Sequence, residues 1–153
     1  MTAFSSMESL DQIKSRIEAA VPGAKIEIVP NGSPSQQHSL LMDNEHAVAV
    51  ARFLRVDPAL CFDFCSNVTG VDWLDRVVKK TTKVKKVVDG QEKEIVETTE
   101  EKIPGYLEAV YHLYSMTHKH GPLIIRMRTR DRAEGAHLPS LTPIWRSAEF
   151  QER

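Results

Sequence analysis

The sequence is poor in cysteine: Cys61 and Cys65 are its whole complement. They stand four apart in a stretch that reads as a strand, where a rise of about 3.3 Å per residue puts their Cα atoms about 13 Å apart, beyond disulfide reach. Paired Cys-x-x-Cys motifs for a metal knuckle are missing, as is the cysteine spacing of an iron–sulfur site. Two buried, inert thiols are expected. Long apolar runs are also lacking, and so is a charged-then-apolar leader. The expectation is a cytoplasmic protein that meets a membrane only through a partner. Neither sign of charge prevails: 20 Lys and Arg against 21 Asp and Glu leave a net charge of -1, which supplies no overall field for nucleic acid. There is no glycine-rich phosphate loop and no nucleophile elbow.

What is present is one ordinary domain's worth of chain, 153 residues with 41% apolar, enough to bury a core without staples. Ser5-x-x-Glu8 has capping-box spacing, and Leu10, Ile13, Ile17, Ala20 and Val21 then form an apolar stripe that stops at Pro22-Gly23. Residues 25–29 and 39–42 read as short strands about a turn-rich loop. Asp43 or Asn44 is expected to cap a second helix with Ala47, Val50, Ala51 and Leu54 buried and Asp57-Pro58 at its end. Leu60, Phe62 and Phe64 are expected on one face of a strand ending near Gly70, followed by a turn or short helix over residues 71–74. Residues 106–116 are apolar at both parities, which predicts a central strand covered on both sides. Leu123, Ile125, Met127 and Thr129 then alternate with Ile124, Arg126, Arg128 and Arg130. The fold class this predicts is α+β, two helices packed on a mostly antiparallel sheet, with the domain at residues 1–137.

A charged β-hairpin interrupts that domain at about residues 76–102. Its first arm carries Lys79, Lys80, Lys83, Lys85 and Lys86, its second Glu92, Glu94, Glu97, Glu100 and Glu101, and Asp89-Gly90 is a two-residue turn signal. That turn sets Lys85 opposite Glu94, Val84 opposite Ile95, Lys79 opposite Glu100 and, less favourably, Lys86 opposite Lys93. With acids across from lysines and no aromatics interleaved, the pattern favours a solvated, self-neutralising hairpin over a nucleic-acid site.

Catalytic, cofactor and metal residues are not expected. His112, His118 and His120 cluster in sequence, with Asp63, Cys61 or Cys65 as conceivable further ligands, yet two of the three flank a turn. Asp72 beside Trp73 reads as a cap or acceptor rather than an acid/base. The row Arg126, Arg128, Arg130, continued by Arg132, suits either neutralisation by the chain's own acids or docking of an acidic partner.

Residues 138–153 form a proline-punctuated C-terminal interaction segment. Pro139 and Pro143 forbid helix in its first half, and Ile144, Ala148 and Gln151 then recur at helical spacing with Trp145, Glu149 and Glu152 beside them. The pattern Trp145-x-x-Ala148-x-x-x-Glu152-Arg153 resembles the start of the signature of the 30 kDa-type subunit (the C subunit) of proton-translocating NADH:quinone oxidoreductase, respiratory complex I. The run from Phe62 through Val71-Asp72-Trp73 and the run Val110-Tyr-His-Leu-Tyr-Ser115 are similar to that family's neighbouring strands. The family's signature goes on to Glu-Arg-Glu, and this sequence stops after the first two of those residues, so the segment is expected to be cut short. In the family the segments flanking the hairpin are joined by a much shorter connection, which makes the hairpin an insertion.

The resemblance implies a non-catalytic peripheral-arm subunit supporting electron transfer from NADH to quinone coupled to proton translocation. It binds no cofactor itself, with flavin, iron–sulfur clusters and quinone on partner subunits. Its partners are other complex I subunits, chiefly the large quinone-site subunit. It sits on the cytoplasmic side of the cell membrane and touches it only through the complex. The implied interface residues are Trp145, Ala148, Glu152 and Arg153 with Arg126, Arg128 and Arg130, Trp145 serving as apolar anchor. The alternative is a free-standing α+β module whose arginine face docks an acidic protein or anionic ligand.

Overall fold

The computed structural model describes residues 7–153. In chain order it contains α1 (Leu10–Ala20), β1 (Ile26–Val29), β2 (Ser39–Met42), α2 (Ala47–Val56), β3 (Phe64–Trp73), β4 (Arg76–Val88), β5 (Gln91–Ile103), β6 (Tyr106–Ser115), β7 (His120–Arg128) and α3 (Ala148–Glu152). Five strands form one sheet in the order β1-β2-β7-β6-β3, and β4 and β5 form a separate two-stranded sheet. β2 runs parallel to β7, whereas the other neighbours are antiparallel. The fold is therefore α+β with a mostly antiparallel sheet, as the sequence pattern predicts.

A capping box satisfies the first amides of α1, whereas at α2 side chains fix the residues just before the helix. Ser5 of the expected capping box lies outside the described residues. The box that forms is one turn later, with Ser9 Oγ accepting from the Gln12 amide at 3.3 Å and Gln12 Oε1 from the Ser9 amide at 3.1 Å, while Glu8 pairs with Arg16. α2 has His46 at its N-cap without a side-chain cap. Asp43 acts from three residues upstream, accepting the His46 amide at 3.1 Å and the Lys25 amide at 2.8 Å. Asn44 turns away and donates to the Arg128 carbonyl at 2.8 Å.

One face of the sheet builds the core. Leu40 and Met42 of β2, Leu123, Ile125 and Met127 of β7, and Tyr111 and Leu113 of β6 meet Ile13 and Ile17 of α1, the Ala47–Leu54 stripe of α2 and Ala148 of α3 in one buried cluster. The opposite face has no helix over it among the described residues. There the register sets Glu108 against Arg128, Val110 against Arg126 and His112 against Ile124. β6 is nevertheless buried at both parities over most of its length, with Glu108 and Val110 at 2% and 6% exposure on the face without a helix, and the expected cover fails only at Met116, beyond the strand's end and 65% exposed.

Two further expectations change around β3. Leu60 and Phe62 are buried, but Phe64 is 40% exposed, because the segment before Phe64 is not strand. Asp57 turns the chain after α2 by accepting the Ala59 and Leu60 amides, and Cys61 takes a positive φ of 45°, which breaks the alternation. After a bulge at Ser66, β3 runs on through Val71, Asp72 and Trp73, paired residue by residue with β6 from Asn67 onward. Extended pairing displaces the expected turn. The hairpin keeps the predicted register, Lys85 with Glu94, Val84 with Ile95, Lys79 with Glu100 and Lys86 with Lys93.

Candidate interaction surface

β3 is an edge strand, and an edge exposes unpaired peptide groups. The C-terminal segment covers part of that edge with side chains. Trp145 Nε1 donates to the Phe62 carbonyl at 2.7 Å and Ser147 Oγ to the Cys65 carbonyl at 2.8 Å. Gln151 donates to the Ser66 carbonyl at 3.4 Å and accepts the Val68 amide. Arg55 of α2 holds the Ile144 carbonyl from the other side. Leu141, Ile144, Trp145 and Ala148 are buried in the main core.

Glu152 locks the segment on itself. Its Oε1 accepts the Tyr111 hydroxyl at 2.7 Å and the Leu141 amide at 2.9 Å, and its Oε2 accepts Ser140 Oγ at 2.5 Å and Thr142 Oγ1 at 2.8 Å. Burial alone would push this carboxyl up. The hydrogen bonds from Ser140, Tyr111, Leu141 and Thr142 outweigh burial and hold it below its ordinary 4.5, while burial and the Glu152 charge raise the Tyr111 phenol. A depressed carboxyl contributes stability that is complete above its unfolded value and is lost as pH falls through the folded one. The C-terminal segment is therefore expected to loosen as pH drops below about 4.5, read as a red shift of Trp145 emission. Glu152→Gln should remove that acid step; an unchanged acid transition in the variant would contradict the lock.

The segment presents outward what it does not bury. Phe150 is 88% exposed, and with Arg146, Glu149 and Arg153 it borders a shallow depression of about 380 Å³. Arg153 pairs with Glu149 at 3.0 Å, one helical turn away.

Of the residues expected at an interface, Trp145 and Ala148 lie within the chain's own core, Glu152 serves as the internal lock, and Arg153 faces solvent. The arginine row is largely taken up by the chain's own acids. Glu108, its side chain fully buried, accepts Arg126 Nη1 at 2.5 Å and Arg128 Nε at 2.7 Å. Arg126 also donates to Ser39 at 2.7 Å, Trp73 Nε1 reaches Glu108 at 3.4 Å, and the Arg128 guanidinium lies 4.9 Å over the Tyr106 ring. Arg132 clasps Asp72 through Nε and Nη2 at 2.8 and 2.9 Å, which holds the Asp72 carboxyl low; of the cap or acceptor expected there, Asp72 is the acceptor, with a cation as its donor. Arg130 meets Asp131 at the surface. Glu108 was not singled out from the sequence, although it is the one acid in the strand facing the arginine parity.

The histidines do not converge. His118 and His120 stack at 5.7 Å with His120 edge-on to Phe62, and His112 is on the open sheet face. Burial lowers both His112 and His120. Among the described residues the ligand atoms of Asp43, Glu45 and His46 do gather within 4.8 Å, but Asp43 is engaged at the entry to α2, with His46 Nδ1 at 2.5 Å. Cys61 and Cys65 are free thiols, and burial pushes Cys65 up to about 11.

These features define an α+β domain whose C-terminal segment covers the start of its edge strand and turns an apolar and charged patch outward. The chain belongs to the family described as respiratory-chain NADH dehydrogenase, 30 Kd subunit, whose model matches residues 40–153. It is similar to the C subunit of NADH-quinone oxidoreductase from Saccharopolyspora erythraea, 31% identical over 112 residues, 73% of this chain and 33% of that protein. It is also similar to the same subunit from Salinispora arenicola, 31% identical over 147 residues (94% and 46%), and from Roseiflexus castenholzii, 28% over 141 residues (92% and 62%). The chain spans less than two-thirds of the length of these curated relatives.

Proposed function

We propose that the chain works as a non-catalytic peripheral-arm subunit of NADH:quinone oxidoreductase, supporting electron transfer from NADH to quinone coupled to proton translocation. It does so by packing against the large quinone-site subunit at the cytoplasmic side of the membrane, with flavin, iron–sulfur clusters and quinone carried by partner subunits. The family match supports the complex. The observation that carries the docking role is the C-terminal segment, fixed from within by Trp145, Ala148 and Glu152 and projecting Phe150 almost fully into solvent beside Arg146 and Arg153. A large exposed aromatic flanked by arginine is the composition of an interface anchor. The free-standing alternative is weaker, since Glu108 and Asp72 already occupy the cations of the arginine face.

The test is co-purification from a membrane extract with this chain as bait. Recovery of large subunits with flavin and iron–sulfur absorbance is expected. Phe150→Asp should lower that recovery about tenfold, a modest value for losing one anchor, without changing thermal stability. Equal recovery with Phe150→Asp would remove the segment from the interface.

A further inference from the structure

The hairpin is long, lone and sorted by charge. β4 and β5 are 13 residues each, they pair only with each other, and no other element packs substantially on them. A two-stranded sheet standing alone in water is marginal, and both of its long edges present unpaired peptide groups. β4 carries Arg76, Lys79, Lys80, Lys83, Lys85 and Lys86 and no acid. The glutamates of β5 are interrupted by Lys93 and Lys102, so the hairpin stays net positive even with Asp89 at its turn.

Among the described residues, cross-strand acids do not reach every cation of β4. Lys80 reaches Glu101 at 2.7 Å. Lys79, Lys83 and Lys85, which share one face by alternation, lie opposite Glu100, Val96 and Glu94 without forming an ion pair among the described residues. On that same face Val77 and Val87 stand 58% and 69% exposed at the two ends of the row.

We propose that the outer edge of β4 receives an acid-rich extended segment of a partner protein as a third strand. The backbone ladder supplies the attachment and the lysine row the selection. Acids at alternate positions of the incoming strand face Lys79, Lys83 and Lys85, and apolar residues at its ends cover Val77 and Val87. Charge decides the edge: an acidic strand beside β4 offsets the hairpin's positive excess, whereas a basic strand beside β5 would enlarge it. Charge also discourages β4–β4 pairing between copies, which would align lysine with lysine. A β4–β5 contact between copies is attractive but does not close on itself. This site is separate from the C-terminal patch and adds a second contact to the proposed function.

The test uses the whole chain and a synthetic peptide of alternating Glu and Val long enough to span β4. Its controls are a Lys/Val peptide and a Glu/Val peptide N-methylated at alternate residues, which cannot form the ladder. Fluorescence anisotropy should show the Glu/Val peptide bound, more weakly as salt rises, with new amide protection on residues 76–88. N-methylation should weaken binding about tenfold or more, as loss of one or two net backbone hydrogen bonds requires. The triple variant K79E/K83E/K85E should transfer preference to the Lys/Val peptide, and K79Q/K83Q/K85Q should bind neither well. Equal binding of the N-methylated peptide, protection on β5 alone, or hairpin-dependent self-association without peptide would each overturn the proposal. Replacing residues 77–102 by a short turn should abolish peptide binding yet spare co-purification through the C-terminal segment, so the two readings fail separately.

Discussion

Trp145→Ala is expected to destabilise the isolated chain by about 4 kcal/mol, the scale of emptying a large aromatic site in a core that relaxes only in part. The indole is 2% exposed, and its N–H satisfies the Phe62 carbonyl. Truncation thus also leaves a buried acceptor without its donor, which costs about 1–3 kcal/mol where water cannot replace it. Against a total of about 5–15 kcal/mol for a domain, this is a large fraction, and thermal unfolding should move down by roughly 10 °C or more for a chain of this size. Trp145→Phe should lose much less, since it keeps most of the apolar volume and gives up mainly the hydrogen bond. Denaturant unfolding followed by circular dichroism measures both. A loss below about 1 kcal/mol for the alanine variant, the range of surface substitutions and mild ones, would mean that residues 138–153 do not seal the core.

The segment's proline punctuation and its apolar spacing were legible in the sequence, and so was the likeness of Trp145, Ala148, Glu152 and Arg153 to a family signature. Which way the tryptophan faces was not legible. That depends on a stretch some 80 residues upstream, the start of edge strand β3 and the residues just before it, whose carbonyls at Phe62, Cys65 and Ser66 take the segment's side chains. No periodicity within a five-residue helix encodes such a contact. By contrast the hairpin register followed from Asp89-Gly90 alone, because a two-residue turn fixes every pair behind it. The two faces of β7 were equally plain from alternation. Around Leu60 the pattern misled. Leu60 and Phe62 read as alternating strand residues, but the positive φ at Cys61 lets both enter the core while Phe64 leaves it.

The arginine row was legible as a face, but its neutralising partner was not, since Glu108 lies on a neighbouring strand. Its removal makes the second large effect. Glu108→Ala is expected to destabilise the chain by about 3 kcal/mol, the lower end for breaking a buried ion pair. The lower end applies because the two guanidiniums left behind are not sealed: Arg126 and Arg128 are 24% and 34% exposed against 0% for Glu108, so water can reach the orphaned charges. Glu108→Gln keeps an acceptor for Arg126 or Arg128 but no charge, and should fall between the alanine variant and the parent. In a double-mutant cycle Arg126→Ala should cost markedly less once Glu108 is already alanine, because the two residues share one interaction. Added salt should hardly diminish the effect, since a buried carboxylate is poorly screened. Urea titrations of the parent, the two Glu108 variants, Arg126→Ala and the double variant at low and high salt supply all of these values. Strict additivity in the cycle would show that Glu108 and Arg126 are neighbours without an energetic bond, and the open sheet face would then owe its order to Trp73, Tyr106 and the β-ladder instead.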